Sequence, residues 1–183
     1  FMNKFGVDIC EGYGLSETSP VVTMNPPEKP KVGSCGPVVP GIAWKLIDAD
    51  GKEVPKGEAG EFIVKGDNIM LGYWNLPDAT AKAMTADGWI HTGDAGYLDE
   101  DGYLFIHDRM KDMIITGGEN VYPAEVESAI FGHPAVLEVA VIGVPDEKWG
   151  ERPLALVVLK PEHEGKVSEH ALRNFAAHLI EST

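Results

Sequence analysis

Two Asp-Gly dipeptides constrain the first part of the chain, because each one separates two short runs that are rich in apolar residues. Asp50-Gly51 lies between "IAWKLID" and "KEVPKGEAGEFIVKG", and Asp101-Gly102 lies between "AGYLDE" and "GYLFIHD". Asp-Gly tolerates the positive φ that a tight turn needs, so both segments are predicted to be β-hairpins. Residues 31–108 therefore favour short strands and turns over long helices.

One helix and one further strand are predicted in the same part of the chain. Pro77 suits the first turn of a helix, and the "DATAKAM" that follows it is rich in helix formers. The half-apolar run "FGVDIC", residues 5–10, is typical of a short strand.

The pattern changes after Arg109. A short strand in "DMIITGG" precedes a helix that begins at Pro123, and two strands rich in β-branched residues precede a second helix capped by Ser168. This order is typical of a compact α+β module. We therefore predict an α+β chain: a β-rich, distorted barrel-like part over residues 1–108 and a small α+β module over 109–183, with the boundary near 109–112.

The charge balance excludes some classes of partner. The formal net charge is −14, which argues against binding to nucleic acid or to an anionic membrane, since both need clustered Lys and Arg. No apolar run is long enough to span a bilayer. Cys10 and Cys35 lack metal-ligand or redox spacing. We therefore expect both to be small buried residues of a protein in a reducing, cytoplasmic environment.

The first candidate motif is "EGYGLSETSP", residues 11–20. Gly14 lets the backbone approach a ligand closely, and Ser16 offers a hydroxyl and an N–H to an oxyanion. Glu17 is a hard oxygen ligand that suits Mg²⁺, and Tyr13 offers a flat face to a purine. A surface turn with incidental polar residues is the alternative.

Two further motifs have a similar pair of interpretations. Asp94, in "HTGD", follows a short apolar run and can accept hydrogen bonds from a ribose diol, although Thr-Gly-Asp is also an ordinary turn. In "DRMKDMIITGGEN", the fork of Arg109 suits phosphate or ribose oxygens, and Gly117-Gly118 lets the backbone lie against a narrow ligand. A salt-bridged linker that leads to a glycine turn is the alternative.

The order of the motifs is more specific than any one of them. Tyr-Gly-Leu-Ser-Glu, Thr-Gly-Asp, Asp-Arg-Met-Lys-Asp, Gly-Gly-Glu-Asn, a Pro-x-Glu-x-Glu helix and "GVPDEKWGE" follow one another over nearly the whole chain. In this order they closely resemble the adenylate-forming superfamily, and within it the acyl-CoA synthetases. The segments "LGYWNLPDATAKAM" and "KDMIITGGENVYPAEVE" look most like fatty-acid or medium-chain acyl-CoA ligases.

The resemblance implies a reaction in two steps. ATP and a small-molecule carboxylate form acyl-AMP and pyrophosphate, and the thiol of CoA then displaces AMP. Mg²⁺ offsets the phosphate charge, and the resemblance assigns Glu17 to hold it and Ser16 to contact the phosphate. The residues that it assigns to the nucleoside side are Tyr13 with Gly14 at adenine, and Asp94 and Arg109 at the ribose.

The resemblance also assigns roles in the second step. Lys111 takes the family's hinge position, where a small domain swings between an adenylating and a thioester-forming pose. Gly117, Gly118 and Glu119 are expected to line the tunnel for the pantetheine arm of CoA. Trp149 is a candidate for the same tunnel, and a cover for the core of the small module is the alternative.

The family also has parts that these 183 residues do not contain, namely a Ser/Thr/Gly-rich phosphate loop upstream and a Gly-Lys ending downstream. We therefore expect a fragment: the β-rich part of a large N-terminal domain and most of a truncated C-terminal domain, with negligible ligase activity alone. Uncovered apolar surface would then favour homo-oligomers. The alternatives are an adenylation domain that loads a carrier protein, and a non-catalytic module that binds a nucleotide or a partner protein.

Overall fold

The computed structural model describes residues 2–180, and the side chains of residues 4–179. The chain divides into two compact units, with the boundary between His107 and Asp108. Both contain helices and sheet, and the predicted α+β class is confirmed.

The first unit is mostly β-structure. Its elements are α1 Met2–Phe5, β1 Gly12–Tyr13, β2 Thr23–Met24, β3 Gly36–Pro37, β4 Ala43–Ile47, β5 Gly60–Lys65, α2 Pro77–Ala83, β6 Ile90–Leu98 and β7 Tyr103–Arg109, whose end crosses the unit boundary. β1 pairs with β2, and a five-stranded sheet has the order β3-β7-β6-β5-β4. Because β3 and β4 lie at its edges, this sheet is open and is not a closed barrel. Its buried core consists of Val22, Leu46, Phe62, Val64, Ile90, Leu98 and Leu104.

Both Asp-Gly turns form as predicted, with Gly51 at φ 76° and Gly102 at φ 83°. In each turn an aspartate two residues before the Asp-Gly dipeptide accepts two backbone N–H groups through Oδ1. Asp48 accepts those of Asp50 and Lys52, and Asp99 accepts those of Asp101 and Tyr103. The aspartates therefore organise the turns that join β4 to β5 and β6 to β7.

Two predictions for the start of the chain are wrong. Residues 5–10 form no strand: helix α1 ends at Phe5, and Val7 and Ile9 are more than half exposed. Alternating apolar residues form a strand only where another strand pairs with them. Cys10 is exposed rather than buried, and Cys35 is half-buried.

The second unit has strands β8 Ile114–Thr116, β9 Glu119–Val121, β10 Val136–Asp146 and β11 Gly150–Leu159, with helices α3 Pro123–Phe131 and α4 Glu169–Ile180. The sheet order is β10-β11-β8-β9. The cap predicted for α4 is present, since the Ser168 hydroxyl accepts the N–H of Ala171 at 3.2 Å. Strand β9 was not predicted.

Helix α3 packs against β10, and α4 packs against α3. The buried centre of this layer is Ile130, Val136 and Ala176. Residues that alternate with the helix-facing ones lie on the opposite face of the sheet. That face has exposed apolar side chains at Ile142, Leu154, Leu156 and Val158. Within the described residues, no helix is both long enough and apolar enough to cross a membrane.

Candidate functional site

A short hydrogen bond joins two of the predicted site residues. The hydroxyl of Tyr13 donates to Oδ2 of Asp94 at 2.5 Å, across 81 residues of sequence. Asp94 is 6% exposed, and the Tyr13 ring lies edge-on to Phe62 with a centroid distance of 6.0 Å. A length of this kind is typical of a hydroxyl that donates to a carboxylate. The "EGYGLSETSP" and "HTGD" motifs therefore meet at one place in the first unit.

Asp94 lies on a bulge in strand β6. Glu61 pairs with Ala95 and Ile63 pairs with His91, so the three residues 92–94 lie opposite Phe62 alone. The Thr92 hydroxyl donates to the carbonyl oxygen of Phe62 at 2.5 Å. Bulges of this kind redirect a side chain away from the regular ladder. The bulge gives Asp94 a position that an unbroken strand would not offer.

Glycine at position 14 is required by packing within the chain. A Cβ atom there would lie 1.6 Å from the carbonyl oxygen of Pro20. Close approach of a ligand is the role predicted for Gly14 from the sequence. The structure shows that its own loop already needs the space, because residues 14 and 20 close the loop that contains Ser16 and Glu17.

Ser16 and Glu17 begin a 3₁₀ turn, Ser16–Thr18. Ser16 is exposed and Glu17 is half-buried. Oε1 of Glu17 accepts the hydroxyl of Tyr73 at 2.7 Å, and this hydrogen bond raises the pKa of Tyr73 above its ordinary value. The backbone oxygen of Glu17 also accepts the N–H of Met70 at 2.8 Å. Both the carboxylate and the backbone of Glu17 are therefore held by the segment around residue 73.

The donor set around Glu17 suits a cation that is shared with a phosphate substrate. No group of three His, Cys, Asp or Glu side chains able to hold a metal occurs among the described residues. Mg²⁺ is commonly bound through one or two carboxylates together with substrate phosphates and water. Oε1 of Glu17 accepts the Tyr73 hydroxyl, so Oε2 of Glu17 is the oxygen that can supply a single protein ligand to such a cation.

The segment assigned to the hinge forms a turn in the second unit. The N–H of Asp112 donates to the carbonyl oxygen of Arg109 at 3.0 Å, and Lys111 between them has a side chain that is 74% exposed. Asp108 accepts the N–H of Arg109 at 2.7 Å and that of Ala124 at 2.9 Å. Asp108 therefore connects the start of this turn to the first turn of α3, and the exposed Lys111 ammonium lies 3.7 Å from Oδ1 of Asp112.

Gly117 and Gly118 form the two-residue turn between β8 and β9, where Thr116 pairs with Glu119. Their φ angles are 60° and 91°, and positive values at both positions are typical of a type I′ hairpin. A Cβ at Gly117 would lie 2.8 Å from Cε3 of Trp149, and the N–H of Gly117 donates to the Trp149 carbonyl oxygen at 3.0 Å. The glycine turn and the tryptophan are thus in direct contact.

Trp149 is 49% exposed, and the Lys148 ammonium lies 4.2 Å from the centre of its ring. The indole is outside the buried cluster of Ile130, Val136 and Ala176, so the alternative of a core cover does not describe its position. Glu119 on β9 is exposed. The structure brings Gly117, Gly118, Glu119 and Trp149 together around one hairpin.

Sequence reasoning missed three residues that hold these groups. Tyr73 donates a hydrogen bond to Glu17, and Thr92 holds the bulge that contains Asp94. Glu61 contacts two residues of β6, the strand of that bulge. A weak signal exists for Glu61, since it is a charged residue at the start of the otherwise apolar "EFIV" run. The partners of Tyr73 and Thr92 are 56 and 30 residues away, and no local pattern indicates them.

Two family models match the chain. The AMP-binding enzyme model matches residues 1–74, and the model of the AMP-binding enzyme C-terminal domain matches residues 125–182. Together they cover well over half of the chain.

Curated relatives agree with this assignment. The chain is 50% identical over 159 residues to a fatty acid–[acyl-carrier-protein] ligase, ScoC, of Streptomyces coeruleorubidus, with 84% of this chain and 30% of that protein covered. It is 48% identical over 173 residues to a 2-succinylbenzoate–CoA ligase of Geobacillus kaustophilus, with 93% of this chain and 34% of that protein covered. The chain thus spans about a third of the length of the curated relatives it matches.

A solved structure has the same fold. The crystal structure of ATP-bound MatB from Rhodopseudomonas palustris matches with a TM-score of 0.86 and 41% identity, over 97% of this chain and 35% of that one. The family models, the relatives and the fold therefore agree with the motif order. The chain belongs to the adenylate-forming, AMP-binding enzymes.

Proposed function

We propose that this chain is part of an AMP-forming acid–thiol ligase, an enzyme that activates a carboxylic acid with ATP and transfers the acyl group to CoA. The observation that carries the proposal is the hydrogen bond between Tyr13 and Asp94. It joins two motifs that are distant in sequence, and it leaves an aromatic ring and a buried carboxylate side by side. A nucleoside needs both, a flat surface for its base and an acceptor for its ribose hydroxyls.

Asp94 and Tyr13 divide the binding of the nucleoside in this proposal. The carboxylate of Asp94 accepts the ribose diol, and the Tyr13 hydroxyl fixes its orientation in advance. The Tyr13 ring and the backbone at Gly14 meet the adenine. Arg109, in the second unit, supplies a charged fork for the ribose side.

Ser16 and Glu17 act on the phosphate end. Ser16 contacts a phosphate oxygen from its exposed position at the start of the 3₁₀ turn. Glu17 holds Mg²⁺ through Oε2, while Tyr73 keeps the carboxylate in place through Oε1. Bound Mg²⁺ would neutralise phosphate charge as the carboxylate substrate attacks. The chain's own contribution is therefore mostly positioning.

The second unit would serve the transfer to CoA. The turn at 109–112 contains Lys111 and is proposed as the hinge between a large-domain part, residues 1–108, and a small-domain part, residues 109–183. Gly117, Gly118 and Glu119 would line the pantetheine tunnel, with the half-exposed Trp149 beside them. The narrow surface of a glycine turn suits an unbranched arm.

The acid is proposed to be a fatty acid, in line with the "LGYWNLPDATAKAM" segment and with the name of the Streptomyces relative. The succinylbenzoate ligase among the relatives shows that similar chains serve other acids. The second candidate acceptor is an acyl carrier protein, which the name of the Streptomyces relative favours. Incubation of the native enzyme with ATP, palmitate and either CoA or holo-carrier protein separates the two acceptors by product mass.

The 183-residue chain alone is proposed to have negligible ligase activity, since it spans about a third of the length of its relatives. Turnover of ATP at about 1 per second or faster by this chain would contradict that proposal. A non-catalytic binding module would bind nucleotide with no turnover even in the full native protein. The cytoplasmic location and self-association stay predictions.

Replacement of Asp94 tests the proposal directly. In the full native enzyme, Asp94→Asn is expected to raise KM for ATP about tenfold or more, because a charged acceptor for the ribose is lost. Acid-dependent exchange of pyrophosphate into ATP is the measurement. Asp50→Asn is the matched control, since Asp50 lies in the turn after β4 and its side chain is 78% exposed. Equal KM values for Asp94→Asn and the native enzyme would overturn the assignment.

A further inference from the structure

We propose that Glu61 is a positioning residue for Asp94: its carboxylate holds the bulge of β6 in the geometry that nucleotide binding needs. The inference rests on the proposed function of Asp94. No motif in the sequence indicated Glu61. Its side-chain hydrogen bonds go to His91 and Gly93 and not to Asp94 itself.

The two oxygens of Glu61 reach two different residues of β6. Oε2 lies 2.9 Å from Nδ1 of His91, and Oε1 accepts the backbone N–H of Gly93 at 3.1 Å. The Glu61 side chain is only 17% exposed. One carboxylate therefore spans the residues on either side of Thr92.

The bulge needs such a partner. Where two or more residues lie opposite one, the extra residue loses its place in the ladder and its N–H needs another acceptor. Gly93 is that residue here, with a φ of 73° and an N–H that donates to a side chain rather than to the neighbouring strand. Without Glu61, this N–H and the backbone at Gly93 lose their fixed direction.

The position of Asp94 depends directly on this constraint at Gly93. Its N–H donates to the hydroxyl of Thr92 at 3.2 Å, and its carboxylate accepts the Tyr13 hydroxyl. Thr92 fixes the bulge on the side of Phe62, and Glu61 fixes it on the side of Gly93. The carboxylate that would bind ribose is thus placed by a second carboxylate that meets no substrate.

A positioning role predicts a specific kinetic pattern in the full native enzyme. Glu61→Ala is expected to raise KM for ATP about tenfold and to change kcat by less than about threefold, because binding rather than the reacting groups is altered. Glu61→Gln keeps a carbonyl oxygen for the Gly93 N–H and is expected to stay within about threefold of the native KM. Glu58→Ala is the control, since Glu58 is an exposed residue just before the same strand.

A double-mutant cycle with Asp94→Asn decides whether Glu61 acts through Asp94. In the Asp94→Asn background, Glu61→Ala is expected to change KM for ATP by no more than about twofold. An equal tenfold effect in both backgrounds would overturn the inference and indicate a general structural role. If Glu61→Ala does not fold at the assay temperature, Glu61→Asp takes its place, because the shorter side chain cannot span both contacts.

The cycle also separates this inference from the proposed function. No change of KM in Asp94→Asn alone would overturn the nucleotide role of Asp94. A raised KM in Asp94→Asn together with a native KM in Glu61→Ala would overturn only the positioning role of Glu61.

Discussion

Tyr13 and Asp94 in the first unit are held by side-chain hydrogen bonds, whereas Gly117 and Gly118 in the second unit are held by a backbone hairpin and one indole ring. Asp94 is 6% exposed, and Trp149 is 49% exposed. The first region therefore has a set geometry before any ligand arrives. The second region presents an exposed surface, formed by the glycine turn and the Trp149 ring, along which a ligand can lie.

The difference has a physical reason. A buried carboxylate loses its water, so it needs fixed donors to remain favourable. Tyr13 donates to Asp94, and Tyr73 donates to the half-buried Glu17. A glycine turn buries no charge, so its shape is determined by backbone angles and by its contact with Trp149. The two constructions are consistent with the roles proposed above, rigid binding of a nucleotide for the first region and guidance of a flexible arm for the second.

The largest effect is expected where the rigid region has no space. Gly14→Ala places a Cβ 1.6 Å from the Pro20 carbonyl oxygen, so the loop must rearrange, at a cost of about 3 kcal/mol of unfolding free energy or more. Urea unfolding of the chain measures this cost. Gly12→Ala in the adjacent strand β1 is the control, because its Cβ would lie 3.0 Å from the Thr23 carbonyl oxygen and the expected cost is about 1 kcal/mol. Equal costs for the two substitutions would contradict the packing argument.

An intermediate effect is expected in the glycine turn. Both Gly117→Ala and Gly118→Ala put a side chain at positive φ, which costs about 1 kcal/mol each. Gly117→Ala also pushes against the Trp149 ring at 2.8 Å and should cost about 2 kcal/mol in total. The Trp149 emission, obtained by subtraction of the Trp149→Phe spectrum, should shift in Gly117→Ala only. A shift of the same size in Gly118→Ala, which has open space around its Cβ, would show that turn strain alone moves the indole.

The smallest effect is expected in the pH dependence of the stability of the first unit. Lys31 binds Asp99 and Asp101 beside the second Asp-Gly turn, and its hydrogen bond lowers the pKa of Asp101. For Asp99, burial acts to raise the pKa, but Lys31 and the backbone N–H groups of Tyr103 and Asp101 outweigh it, so the pKa is lowered. Such carboxylates stabilise the fold above their ordinary pKa of about 4, and this contribution is lost as the pH falls through the lowered values.

Lys31→Met should therefore reduce the drop in Tm between about pH 6 and about pH 2.5, because the lowered pKa values return toward the ordinary one. The change should be small, since the Asp101 side chain is 52% exposed and solvent screens its ion pair with Lys31. Lys52→Met at the first Asp-Gly turn is the matched control, since Lys52 is 3.9 Å from Asp50 and both are more than three-quarters exposed. Identical Tm differences in the two variants would show that Lys31 has no special role.

The elements that depend on near neighbours were predictable. Helix α3 begins at Pro123, and Gly51 and Gly102 take the positive φ that the Asp-Gly pattern indicates. These features follow from propensities and from turn geometry, which act over a few residues. The strand predicted at residues 5–10 is wrong because a strand needs a second strand to pair with, and the local pattern does not supply one.

The candidate site was predictable as a set of residues but not as an arrangement. The motif order indicated Asp94 and Tyr13, and the sequence alone determined their chemical types, the turns around them and the acidic balance of the chain. Only the tertiary structure placed the Tyr13 hydroxyl on Asp94, Tyr73 on Glu17 and Glu61 across the β6 bulge. These contacts join residues 30 to 81 positions apart, and their geometry depends on strand register, which is a property of the whole sheet rather than of any short segment.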